Sequence, residues 1–167
     1  MSEPIISTKQ NLKAAFEELR KTNPLLAITD RDINGVSHKV FENAPKTMRD
    51  LFSIVELLHG DFPFISENST ELSFSETMQK AKNLANYLSE QGIKPGDMVG
   101  ICMQNCTEWL VIYLAIAAHG ATAVPFNSWW KSEELLYGIE HSEVKLVFVD
   151  DKRYELIKDT NVNKILL

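Results

Sequence analysis

Two short runs, MVGICM at 98–103 and KLVFVD at 145–150, are apolar at nearly every position instead of every second one. A strand with one wet face alternates apolar and polar residues. A continuous apolar run belongs to a strand covered on both faces, as in parallel sheets flanked by helices. A third run, ATAVPF at 121–126, lies between them, separated from each by a helix-length segment. The first of these segments, WLVIYLAIAA at 109–118, is apolar all round and reads as a buried helix. It falls far short of the roughly 20 residues needed to cross a bilayer. The second, KSEELLYGIEHSE, is amphipathic, with Ser132 as expected N-cap. Strands alternating with helices at this spacing predict an α/β fold, a largely parallel sheet of βαβ units.

Punctuation residues fix the remaining elements. Thr8 is the expected cap of a helix to about Lys21, with Leu12, Ala15, Phe16 and Leu19 on one face, and Pro24 stops it. Asn34-Gly35 between LLAIT and VSHKVFE predicts a hairpin. Thr47 and Asp50 stand at capping-box spacing ahead of a helix that Gly60 can close. Two short strands are expected around Asn68-Ser69-Thr70, then a helix capped by Ser75 with Met78, Ala81, Ala85 and Leu88 on one face. Thr107 is the expected cap of the buried helix, and NVNKILL at the C-terminus reads as the opening of another strand. The division expected is a helix/hairpin leader at 1–61 and an α/β region at 62–167.

Composition removes several functions. Net charge is −6, which argues against a nucleic-acid partner. The first residues, MSEPIISTKQ, lack the apolar core of a signal peptide, so a cytoplasmic location is expected. Cys102 and Cys106 are spaced C-x-x-x-C, and His38, His59, His119 and His141 are scattered, so no metal site is expected. Gly92, Gly96 and Gly100 could form a phosphate cradle, but a helix stop, a turn and a tight strand explain them better. Asp150-Asp151 could hold a ribose hydroxyl, with capping of the next helix as the preferred reading.

The candidate site is the loop Asn127-Ser128-Trp129-Trp130, which follows the strand ATAVPF. Loops at strand C-terminal ends are where α/β sheets bind ligands. Asn127, Trp129 and Trp130 therefore form either a substrate pocket or a packing loop. The tryptophans can plug the core, line an acyl or adenosine pocket, or face a further part of the protein. Adjacent residues point apart, so the two are expected to do different jobs, with packing preferred for at least one.

Several segments in order resemble one family. LSFSETMQKAKNLANYLSEQGIKPGDMVGI, QNCTEWLVIYLAIAAHGATAVPFN and SWWKSEELLYGIEHSEVKLVFVD are similar to the N-terminal subdomain of the adenylate-forming superfamily. The form Asn-x-Trp-Trp and the upstream NGVSHKVFENAPKTMRDLF resemble its fatty acyl-CoA synthetases. The resemblance implies a two-step ligation: a fatty acid and ATP give an acyl-adenylate and pyrophosphate, and CoA then displaces AMP. ATP, Mg²⁺ and CoA are thus implied for the full-length family. The family's phosphate loop ending in Pro-Lys-Gly, its metal-binding Thr-Glu segment, its ribose-binding Asp and its C-terminal lysine have no counterpart here. No catalytic residue is carried over, no cofactor is expected for the isolated chain, and the expected partner is a missing C-terminal remainder. The alternatives are a non-catalytic α/β interaction module and a flavodoxin-like nucleotide binder, the latter weakened by the lack of a phosphate loop.

Overall fold

A computed structural model describes residues 5–167, with side chains from Asn11 onward. The chain forms two compact units, one ending at Lys46 and one spanning Thr47–Leu167.

In the first unit, α1 (Ile5–Thr22) leads through a short 3₁₀ turn at Pro24–Leu26 to the hairpin of β1 (Ile28–Ile33) and β2 (Val36–Phe41). Thr8 lies inside α1, so it does not cap it. Asn34 and Gly35 both take positive φ, 54° and 82°, as a two-residue hairpin turn with matching twist requires. The expected apolar side chains of α1, Leu12, Phe16 and Leu19, are exposed.

The second unit begins with α2 (Met48–His59), whose predicted capping box forms, with Thr47 accepting from the Asp50 N–H and Asp50 from the Thr47 N–H. Gly60 follows α2 in right-handed conformation, so a left-handed stop is not its role. A Cβ there would lie 2.5 Å from Ser75 Oγ and 2.8 Å from the Glu56 carbonyl, and this close approach is what requires glycine. Helix α2 packs on later helices, so the compact unit starts ahead of it, fifteen residues before the division read from sequence at 61/62.

The hairpin of β3 (Pro63–Glu67) and β4 (Thr70–Ser73) runs directly into α3 (Phe74–Glu90). Ser73, and not Ser75, caps α3, because Glu76 stands at the third helical position and completes a capping box with it. Then come β5 (Met98–Cys102), α4 (Thr107–His119), β6 (Thr122–Pro125), α5 (Ser132–Ser142), β7 (Leu146–Val149), α6 (Asp151–Ile157) and β8 (Asn163–Leu166). The last four strands form one wholly parallel sheet, in the order β6-β5-β7-β8. The C-terminal run thus forms the strand that its sequence implied.

Both faces of this sheet are covered, as the continuous apolar runs require. Val99, Ile101, Leu146 and Phe148 meet Leu88 of α3 and Ile112 and Ile116 of α4 on one face. Cys102, Val147 and Val149 meet Leu135 and Ile139 of α5 and Ile157 of α6 on the other. Helix α4 is less completely buried than its sequence suggests: Tyr113 is exposed and stacks on Trp109, with ring centroids 5.6 Å apart. It ends at Gly120, φ 91°, where the Ala121 N–H reaches back to the Ile116 carbonyl in a Schellman turn.

Two expected caps shift by one residue. Cys106 holds the N-cap position of α4, and Thr107 instead binds Glu67 through its N–H and hydroxyl, at 2.8 and 2.6 Å. Lys131 holds the N-cap position of α5, its N–H donating to Glu134, while Ser132 Oγ donates to the Leu156 carbonyl at 2.6 Å.

Candidate functional site

The strand order sets where a site can form. The chain leaves β5 for β6 on one side and leaves β7 for β8 on the other. Helices α4 and α6 therefore diverge to opposite faces, and a topological switch point opens between the C-terminal ends of β5 and β7. That is the position at which open α/β sheets take ligands.

Asp150 occupies this point. Its Oδ1 accepts from the Arg153 N–H at 2.9 Å, capping α6, and its Oδ2 accepts from the Gln104 N–H at 3.1 Å and Arg153 Nη1 at 2.8 Å. Capping, the preferred reading of Asp150, is what forms. The Arg153 guanidinium then reaches the loop after β6, where Nε and Nη2 donate to the Ser128 carbonyl at 3.2 and 2.7 Å. Arg153 is only 8% exposed. One ion pair thus joins the loops that follow β5, β6 and β7.

Asn127, Trp129 and Trp130 lie on the middle loop of the three. Asn127 Oδ1 accepts from the Trp129 N–H at 3.0 Å, an Asx turn, and its carbonyl accepts from the Trp130 N–H at 3.0 Å. The tryptophans point apart. Trp130 is half-buried in the core beside α5, so close that a Cβ on Gly138 would lie 3.0 Å from its ring. Trp129 is 87% exposed. A hollow of about 690 Å³ beside Arg49 and His119, and one of about 360 Å³ beside Glu67 and Lys80, are lined by other residues.

The glycines form no cradle. Gly92 and Gly96 sit in turns at φ 78° and 86°. Gly100 lies in β5, where an added Cβ would stand 2.7 Å from the ring of Phe126, the residue that opens the tryptophan loop. Among the described residues no group of three His, Cys, Asp or Glu side chains comes together to hold a cation.

Both thiols are free. Burial and the nearby Asp150 carboxylate push the buried Cys102 up to about 11, and burial also raises Cys106, which argues against nucleophilic or redox work at ordinary pH. His119 is buried, with Nε2 3.2 Å from Ser89 Oγ. Hydrogen bonds from Thr107 hold the Glu67 carboxyl below its ordinary value.

Arg153 is the residue that sequence reasoning missed. Its partner Ser128 is 25 residues away, and the contact is to a carbonyl, which carries no residue-type signal. The only hint in the sequence was its place in the first turn of α6, after Asp150 at the expected cap.

A parallel, doubly covered sheet with a topological switch point defines the class, an open α/β fold, and comparison with known sequences narrows it. Residues 55–166 match the family described as AMP-binding enzyme. The chain belongs to that family, the adenylate-forming enzymes. It is 32% identical over 108 residues to the acyl-CoA ligase sidI of Beauveria bassiana, covering 64% of this chain and 19% of that protein. It is 30% identical over 110 residues to a linear gramicidin synthase of Brevibacillus parabrevis, covering 66% of this chain and 1% of that protein. Among solved structures, the Mycobacterium tuberculosis fatty acyl CoA synthetase superposes with a TM-score of 0.69 at 21% identity, over 73% of this chain and 26% of that one. The chain spans under a third of the length of each. Among the described residues no helix is long and apolar enough to cross a membrane.

Proposed function

We propose that this chain supplies the N-terminal part of an ATP-dependent acyl-CoA synthetase acting on a fatty acid, and that it is inactive alone. The observation that carries the reading is the family match across residues 55–166. The Asn127–Trp130 loop, through its resemblance to fatty acyl-CoA synthetases, is what supports a fatty acid as the acid substrate. The reaction joins a carboxylate to AMP with release of pyrophosphate and then passes the acyl group to the CoA thiol. Charge developing on the transferring phosphoryl group needs donors and a cation. In this reading ATP, Mg²⁺ and CoA are held mainly by a further part of the protein. The contribution of this chain is a rigid sheet edge, with Trp129 facing either the acyl group or that further part.

Fatty-acid-dependent ATP–pyrophosphate exchange by the purified chain tests the reading. No exchange above the no-enzyme background is expected. Sustained turnover would place the catalytic groups within these residues and overturn the proposal of inactivity.

A further inference from the structure

The peptide group between Ser128 and Trp129 is pinned at both ends. Its carbonyl oxygen accepts two guanidinium N–H groups of Arg153, and its N–H donates to Asn127 Oδ1. A peptide group is planar, so holding both ends fixes its orientation and the position of the Trp129 Cα, while the Trp130 N–H bond to the Asn127 carbonyl restrains the peptide that follows. Arg153 can do this because Asp150 holds Nη1, and Asp150 is itself tied to the backbone of the loop after β5. The fork geometry of guanidinium serves two acceptors at once, which an ammonium on a flexible stem does not.

We propose that Arg153 is the positioning residue of this sheet edge, anchoring the Asn127–Trp130 loop and so the seating of Trp130 from the switch point. The proposal rests on the reading of this edge as part of the ligand-binding side of the protein. Its test needs no ligand, so its outcome is independent of that reading.

The experiment is acrylamide quenching of Trp130 in a W109F/W129F background, comparing Arg153 with R153K and R153M, with far-UV circular dichroism to monitor folding. Freed from its carbonyl anchor, the loop opens locally, and the Trp130 quenching constant is expected to rise about threefold in R153M. A smaller rise and a red-shifted emission are expected in R153K, with helix content unchanged. A destabilised but otherwise intact fold would not give this signature before its melting transition. Should R153M fail to fold, R153K decides, because lysine keeps the charge beside Asp150 but lacks the second arm of the fork. Unchanged quenching and emission in a folded R153K would overturn the proposal.

Discussion

The two ends of the parallel sheet are each tied by an aspartate and a cation, but the ties differ in kind. At the N-terminal end, Asp97 meets Lys145 at 2.7 Å, and its other oxygen accepts from the Lys94 N–H. The lysine is more than half exposed, so solvent screens the attraction. At the C-terminal end, the Asp150–Arg153 pair is largely withdrawn from water and every arm of the guanidinium is engaged. A buried pair stabilises little relative to a well-packed apolar pair, yet breaking one is costly because the abandoned charge stays buried. The N-terminal end holds a turn; the C-terminal end holds three loops in a fixed arrangement. Pre-organised loops at that end are what a ligand-binding edge needs.

That contrast can be broken by substitution. Arg153→Met has the largest expected effect, a loss of about 3–5 kcal/mol in chemical denaturation, since it strands Asp150 and the Ser128 carbonyl. Gly100→Ala comes next, at about 1–3 kcal/mol from overpacking against Phe126 and Val147, partly relieved by Phe126→Leu. Asn127→Ala removes one exposed hydrogen bond and is expected to cost about 1 kcal/mol. Lys145→Met is smallest, a shift in melting midpoint below that of Asn127→Ala. If Lys145→Met matched Arg153→Met, the distinction between the two ends would fail.

Acid sharpens the same comparison. Lys145 and the Lys94 N–H lower the Asp97 carboxyl, and Thr107 and Ser73 do the same for Glu67 and Glu76. A carboxyl with its folded-state pKa depressed adds stability that is complete above its unfolded value and is lost as pH falls through the folded one. Stability should therefore be flat down to the ordinary carboxylate range and decline below it, as read by melting midpoint against pH. D97N should flatten part of that decline.

Much of this architecture was legible in sequence because it rests on local chemistry. Continuous apolar runs gave the doubly covered strands, Asn34-Gly35 gave the hairpin, and the Thr47/Asp50 pair gave its capping box. The caps of α3, α4 and α5 slipped by one or two residues: α3 starts from the first of two nearby serines, and the hydroxyls expected to cap α4 and α5 are taken by distant partners. At Ser73 the choice was made by Glu76, and at Thr107 by Glu67, a partner 40 residues away. The tryptophan loop was visible, and so was the divergence of its two rings. The latch that holds it was not, because it joins side chain to backbone across elements that only the strand order brings together.

Amide hydrogen exchange on the chain and on R153K tests most directly the claim that Arg153 organises the C-terminal edge. The Gln104, Trp129 and Trp130 amides are expected to lose about tenfold in protection, while Lys94, Gly96 and Thr122 at the opposite end stay unchanged. Equal losses at both ends, or none at either, would contradict it.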